Sequence, residues 1–523
     1  MTIDTHPSDA MQTRAQQLCA AHHLDFGTVF CQQFRIAPID VPPLPSFHQV
    51  KVGKWRIEVG SELPFCAAQT CDGSDVVLLG IAVARDGHIV DETHLSQIKD
   101  AATAIDYLND CAGRFAFFVV TTALARFYVD PLGNLGAVCD AQRSIVASTL
   151  NLVLTRPLQP NDDYPLAELA SRSEARFAFG HTPDKYIKRV LPNHYLDLSD
   201  FKQYRFWPLD GSLIDARFHD EAGILENIST RLTQVIAALA QRFEGTKLPL
   251  SGGLDSRVLL ACAKPSLDKI DIFSHAENMM SRRDTRIAGQ LAAIVGKQID
   301  IYDPSINKAH QINDAAELSN LSDAFHIATG EGALGTLVPK VRLEILGAPP
   351  PGGLILRGNG VDFLKAVLWR RGVAEYAEKT PHNQKTGLRM MMLSGAEALQ
   401  SLDRPSKKAL KAAYWHWYRD LRGIARDRVY DLMFAEQFLS HGAGNMFYGF
   451  TRNFYICPFN DRRLLAAAIS LSPEKRAALR FTQAIIHSQA PEFEGTRYTR
   501  KGTNSKLAAQ AVDDPEWFKQ PYN

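Results

Sequence analysis

One short segment constrains this chain more than any other: Lys247-Leu-Pro-Leu-Ser251-Gly252-Gly253-Leu254-Asp255-Ser256-Arg257-Val-Leu-Leu-Ala261. A brief apolar run leads into Ser-Gly-Gly, and an apolar stretch opened by Leu254 and Asp255 follows. The pattern predicts a strand, a tight loop and a helix start. Two adjacent glycines let the backbone approach a bound anion closely, and the helix N-terminus offers free N–H groups and the positive end of its dipole. The hydroxyls of Ser251 and Ser256 can add donors. Asp255 is a poor neighbour for a phosphate unless a divalent cation lies between them, so its presence points to Mg²⁺. The Walker loop is a different pattern, with four residues between its glycines and a Lys after them. An ordinary turn followed by a helix cap is the bland alternative. Six matched positions in a strand-to-helix context weigh against it.

The segments on either side of this loop differ in character. Before residue 210, short apolar or alternating runs (Val76–Ala84, Phe115–Thr122, Ser144–Leu154) are punctuated by Asp72-Gly73, Asp86-Gly87, Asp130-Pro131 and Gly133-Asn134. Such punctuation predicts packed antiparallel sheets with a few helices. A polar bridge, Pro208-Leu-Asp-Gly-Ser-Leu-Ile-Asp, then interrupts the pattern. Ile224, Ile228, Leu232, Val235, Ile236 and Leu239 follow at spacings that place them on one face of a helix from about His219 to Arg242. After residue 245 strands, loops and helices alternate, as in a parallel α/β sheet, and from about 400 the pattern is mostly helical. The run Pro349-Pro350-Pro351-Gly352-Gly353 reads as a tight loop feeding a buried strand, Leu354–Leu356. The expected organisation is two domains, residues 1–210 and 211–523.

Composition removes several classes of function. The chain has 523 residues, 58 basic against 57 acidic, for a net charge of +1, which argues against a protein built to coat nucleic acid or an anionic membrane. No apolar run approaches the roughly 20 residues of a membrane span. The first twenty residues lack the charged-then-apolar order of a secretory signal, so the expected location is the cytoplasm. Cys19, Cys31, Cys66, Cys71, Cys111, Cys139, Cys262 and Cys457 fall at irregular spacing. Only Cys66 and Cys71 are close, and zinc sites normally show two short-spaced pairs. Reduced cytosolic thiols are the expected state.

Ser-Gly-Gly-Leu-Asp-Ser resembles the pyrophosphate-binding loop of the ATP pyrophosphatases, enzymes that split ATP to AMP and pyrophosphate while adenylating a substrate. Three further segments resemble the asparagine synthetase branch, in the right order. Ile272-Phe-Ser274, with Asp284 and Ala288 downstream, falls where that family borders the adenine and the substrate. Leu354-Ile-Leu-Arg-Gly358-Asn359-Gly360-Val361-Asp362 is similar to the family's strand and Gly-acid-Gly-small-Asp, whose last Asp is the second Mg²⁺ ligand; a plain helix cap is the alternative for Asp362. Cys457-Pro458-Phe459-Asn460-Asp461-Arg462-Arg463-Leu464 looks like the family's Pro-Phe-Leu-Asp-x-Arg-Leu. Arg500-Lys501-Gly502 falls where the family carries a late Lys-Gly, which implies that Lys501 steadies an oxyanion. A solvated tail lysine is the other reading. The front half resembles the same branch at Gly113–Val120, Tyr128–Gly133, Ile145–Ser148 and Leu191–Tyr195, followed by Trp207.

The resemblance therefore implies an N-terminal glutaminase-like (Ntn) αββα sandwich and a C-terminal parallel-sheet ATP-pyrophosphatase domain with a helical end. It implies pyrophosphate contacts from Ser251, Gly252, Gly253, Asp255, Ser256 and Ser274, Mg²⁺ held by Asp255 and Asp362, and ATP as cosubstrate. Two departures redirect the function. A true asparagine synthetase exposes a cysteine as residue one after Met removal, and its own α-amine is the base. Here Met1-Thr2 opens the chain and the first cysteine is Cys19; cleavage before Cys19 or Cys31 would be needed to restore that chemistry. The second departure is Asn359, where several relatives carry an acid, and an amide takes no proton at neutral pH. His326, Glu331 and Asp323 are the substitute candidates, each with a structural reading beside it. The glutaminase-deficient relatives are β-lactam synthetases, carbapenam synthetase and lasso-peptide cyclases. The expected function is an ATP- and Mg²⁺-dependent ligase joining a substrate carboxylate to an amine, on a small molecule or a peptide. A precursor peptide or a biosynthetic partner protein would accompany it, with no nucleic acid. Amidation of a glycan or metabolite carboxylate, and a non-catalytic partner protein, are the rival readings.

Overall fold

The computed structural model describes residues 12–161, 177–209, 211–213, 220–277, 279–330, 338–370 and 403–499. Two six-stranded antiparallel sheets occupy the front half. In the strand Asp75–Val83, Val77, Leu79, Ile81 and Val83 join one apolar cluster while Val76, Leu78 and Ala82 join another. The neighbouring strand Ala112–Val120 splits in the same way, with Ala116 and Phe118 on one side and Phe115, Phe117 and Val119 on the other. Side chains alternate between the faces of a strand, so both faces of this sheet are buried. That is why its strands read as continuous apolar runs.

One face meets the second sheet, through Phe34, Ile36, Ile57 and Val59. The other is covered by the helices Glu92–Ser96 and Ala101–Asn109, through Leu95, Ala104 and Leu108. The helix Arg14–Ala21 closes the far side of the second sheet, packing Ala15 and Cys19 near Ile145 and Ala147. The layers run helix, sheet, sheet, helix, in line with the expected sandwich. The stretch Ser144–Leu154 is only partly extended: a strand, Ile145–Ala147, gives way to a helical turn, Leu150–Val153.

The long helix Glu221–Arg242 is capped by Asp220, whose carboxylate accepts from the N–H groups of Ala222 and Gly223. Ile228, Leu232, Val235, Ile236 and Leu239 are all fully buried along one face, while Ile224 packs at its margin. Beyond it lies a five-stranded parallel sheet. In spatial order its strands are Ile299–Tyr302, Ile270–His275, Thr246–Pro249, Leu354–Leu356 and Phe454–Ile456. The third strand in space is the first in sequence, so the winding reverses between Thr246–Pro249 and Leu354–Leu356. In open parallel sheets that reversal leaves a crevice beyond the C-terminal strand ends. Helices dominate after residue 403, as expected, including an uncommon π-helical stretch, Phe434–Gly444. The strand Phe454–Ile456 within this region had no sequence signal of its own.

Candidate functional site

The loop after Thr246–Pro249 and the loop after Leu354–Leu356 both leave the C-terminal strand ends on either side of that reversal. Strand Thr246–Pro249 passes through Leu250 into Ser251-Gly252-Gly253, and the helix Leu254–Ala263 begins at once. Gly253 is the helix N-cap and brings no side chain to it, so the first-turn N–H groups have no cap of that kind. Ser251 and Ser256 lock the loop from within: their hydroxyls are 3.0 Å apart, the Ser251 N–H donates to Ser256 Oγ at 3.1 Å, and the Gly253 N–H donates to Ser251 Oγ at 3.2 Å. Ser274 is buried at the adjacent strand end, and its hydroxyl donates to the Leu250 carbonyl at 2.8 Å. Its contact is thus with the root of the loop.

Gly252 is held from outside. Its N–H donates to Asp284 Oδ1 at 3.0 Å, the Thr499 hydroxyl donates to the same oxygen, and the Thr499 N–H reaches the Gly252 carbonyl at 3.3 Å. A Cβ on Gly252 would stand 2.1 Å from Thr499 Oγ1, so a larger residue there would force the Thr499 hydroxyl out of its place beside Asp284. Asp284 therefore braces the loop itself, and Ala288, one helical turn on, is fully buried. The segment before Thr499 is clamped by the buried Arg257 of the loop helix, which donates to the carbonyls of Thr496 at 3.0 Å and Arg497 at 2.6 Å and lies over the Tyr498 ring.

The second loop packs directly on the first. A Cβ on Gly358 would lie 2.9 Å from Asp255 Cβ, and Gly360 turns the chain at φ +96° into a short helix, Val361–Lys365. Asp255 and Asp362 come together there around Lys365, a residue that belongs to none of the sequence motifs. Its Nζ lies 2.7 Å from Asp255 Oδ2 and 2.7 Å from Asp362 Oδ1. Burial works to lower the Lys365 pKa, but the two carboxylates outweigh it and hold the ammonium above its ordinary range. Two carboxylates aimed at one cation form the kind of donor set that Mg²⁺ takes when water and phosphate oxygens complete its shell. These residues fit the ion. Among the described residues no cluster of three or more His, Cys, Asp or Glu side chains is arranged for a metal.

His275 ends the strand beside Ser274. Burial, helped by the charge of Arg357, pushes its imidazole down to about 4, so it is neutral at pH 7. Of the base candidates, Asp323 pairs with His22 Nδ1 at 2.9 Å, against the N-terminal helix. His326 lies on the same helix as Asp323, Ala315–Thr329, and Glu331 falls outside the described residues. Asn359 is half-buried between the two glycines of its loop. Arg500, Lys501 and Gly502 also fall outside the described residues. Cys19 and Cys31 lie buried within the chain, and burial pushes both thiols up to about 12. A cavity of about 410 Å³ lies elsewhere, lined by Ala348 at the end of the helix Lys340–Gly347, by Asn453 just before the strand Phe454–Ile456, and by Phe325 and Phe450.

No family model matches the chain, and no curated protein matches it. Among solved structures, it is similar to an NH3-dependent NAD synthetase from Campylobacter jejuni at 16% identity, covering 39% of this chain and 97% of that one, with a TM-score of 0.18. Among the described residues no helix is long and apolar enough to cross a membrane.

Proposed function

We propose that this protein is an ATP- and Mg²⁺-dependent ligase that adenylates a substrate carboxylate and joins it to an amine. One observation carries the reading. Asp255 and Asp362, far apart in sequence, meet around a single cationic position at the switch point of a parallel sheet, beside a glycine loop that opens a helix. That combination suits a nucleotide whose pyrophosphate must be held and then released. Ser251, Gly252, Gly253 and Ser256 would cradle the phosphates, which requires their internal bonds to open toward the ligand. Asp255 and Asp362 would hold Mg²⁺, which supplies positive charge to the departing pyrophosphate.

In the first step a substrate carboxylate oxygen attacks the α-phosphorus, and the bond from that phosphorus to the bridging oxygen breaks. Pyrophosphate leaves with the electron pair. In the second, the amine nitrogen attacks the acyl carbon, the bond to AMP breaks, and the surplus amine proton passes to solvent. Lys501 would steady the oxyanion of this step.

The finer assignment is a lactam- or macrolactam-forming enzyme like β-lactam synthetases and lasso-peptide cyclases, with a front half that does not hydrolyse glutamine. The raised thiols of Cys19 and Cys31 support it, because a nucleophilic cysteine needs its pKa lowered. The substrate would be a peptide or small molecule bearing both a carboxylate and an amine, in the cytoplasm, with a precursor peptide or biosynthetic protein as partner. Carboxylate-dependent exchange between ATP and labelled pyrophosphate tests the reading. Exchange is expected in the wild type and lost in Asp255→Asn and Asp362→Asn. Folded wild type with no exchange across a panel of peptide and small-molecule carboxylates would overturn it.

A further inference from the structure

We propose that Lys365 is an internal counter-cation that keeps the acidic pair closed to free divalent ions and releases it only when the ion arrives with a nucleotide. The inference rests on the nucleotide reading above and deepens it. The lysine follows Asp362 by three residues in a turn of tight pitch, where side chains three apart eclipse one another. Its ammonium therefore stacks over its own neighbour's carboxylate and reaches Asp255 from the other loop, at 2.7 Å in each case.

The turn that carries it is fixed. Phe363 and Leu364 are buried on either side of its axis, and the Phe363 carbonyl accepts from the buried Arg476 at 2.8 Å. Arg476 is itself held by Asp431 through two bonds of 2.8 Å. A lysine on a rigid turn can move its side chain but not its backbone. The ammonium and a divalent ion cannot share the position between the carboxylates, since two positive charges at that separation repel strongly. An ion arriving alone must displace a tethered cation whose ion pairs, among the described residues, are with Asp255 and Asp362 themselves. An ion arriving on a nucleotide brings phosphate oxygens, which complete its own shell and also accept the displaced ammonium. Metal and nucleotide thus bind as one unit, and Lys365 moves from carboxylates to phosphate.

The test measures Mn²⁺ binding to the full chain by electron paramagnetic resonance, without nucleotide, in the wild type, Lys365→Met and Lys365→Arg. Removing the tethered charge should tighten Mn²⁺ binding by about tenfold or more in Lys365→Met, while Lys365→Arg stays near the wild type. Calorimetry with Mg²⁺ and a non-hydrolysable ATP analogue should show the opposite order, with Lys365→Met weakened. Thermal melting confirms that each variant is folded. If folded Lys365→Met binds Mn²⁺ no more tightly than the wild type, the counter-cation role is refuted. A wild type that fails to bind the analogue overturns the ligase reading instead, and the Mn²⁺ comparison is unaffected by that result.

Discussion

Replacing Asn460 by Leu, which keeps the branching of its side chain but none of its polar atoms, should cost roughly 3–5 kcal/mol of stability although Asn460 lies in no catalytic loop. The side chain is fully buried where the last strand of the parallel sheet meets the front half. Its Nδ2 donates to the Gly113 carbonyl at 2.6 Å and to Asp130 Oδ1 at 2.7 Å, and its Oδ1 accepts from the Leu132 N–H at 3.0 Å. The substitution removes one bond to a buried carboxylate, worth about 1.5–3 kcal/mol, and leaves the Gly113 carbonyl short of a partner, worth about 1–3 kcal/mol more. The Leu132 N–H keeps Asp130 Oδ1 at 3.1 Å, so its share of the loss is small. Urea unfolding at pH 7, followed by circular dichroism and tryptophan fluorescence, gives the value. Both probes should shift together, because one apolar cluster includes Phe34 and Phe118 of the front half along with Leu248, Ile456 and Phe493 of the back. A loss below about 1 kcal/mol, or two transitions of which only one moves, would refute the reasoning.

Two other substitutions follow from the same physics. Gly358→Ala drives a Cβ to 2.9 Å from that of Asp255 and should push the carboxylate out of register with Asp362, lowering pyrophosphate exchange by about 10²-fold with the fold retained on thermal melting. Glu436 is fully buried; burial works to raise its pKa, but Arg205 at 2.6 and 2.8 Å and the Trp417 Nε1–H at 2.6 Å outweigh that and hold its carboxyl below the ordinary range. A carboxyl lowered on folding contributes its stability above the unfolded value of about 4.3 and loses it as pH falls through the lowered one. Glu436→Gln should flatten that acid limb in a stability-against-pH profile. At pH 7 it should cost about 3–5 kcal/mol, since Arg205 is left buried without its anion.

The readable parts of this chain were local ones. Ser251–Ser256 needs only its own strand and helix to take shape, and the helix ending at Arg242 shows its buried face in the spacing of six apolar residues. The Asp-Gly and Gly-Asn pairs marked turns correctly because their cause is local too: Gly73, Gly87 and Gly133 all have positive φ. What could not be read depends on distant pairings. Lys365 is visible three residues after Asp362, but its role needs Asp255, which the winding of the sheet brings to it. The brace from Asp284 to Gly252 requires the helix Met279–Ile294 to fold back over the loop. Phe454–Ile456 is three residues long in a helical region, and only pairing with Leu354–Leu356 makes it a strand.

The segment Cys457–Leu464 ties the front half of the chain to the parallel sheet that carries the acidic pair. Asn460 binds Gly113 and Asp130, Arg462 reaches the carbonyls of Asn109 and Val129, and Asp461 caps the helix Arg462–Ser470 while pairing with Arg231 at 2.8 Å. All of these follow directly on Phe454–Ile456, the strand beside Leu354–Leu356, whose end carries Gly358 and Asp362. A shift of the front half therefore has a short mechanical path to one of the two acidic loops: Asp130 to Asn460, Asn460 to the last strand, and that strand to its neighbour. The Gly360 position lies on the same path, since a Cβ there would meet Phe459 at 3.1 Å and Leu132 at 3.4 Å. On the proposed function, losing glutaminase chemistry would leave this mechanical duty intact. The buried polar bonds around Asn460 are then part of what keeps Asp362 facing Asp255.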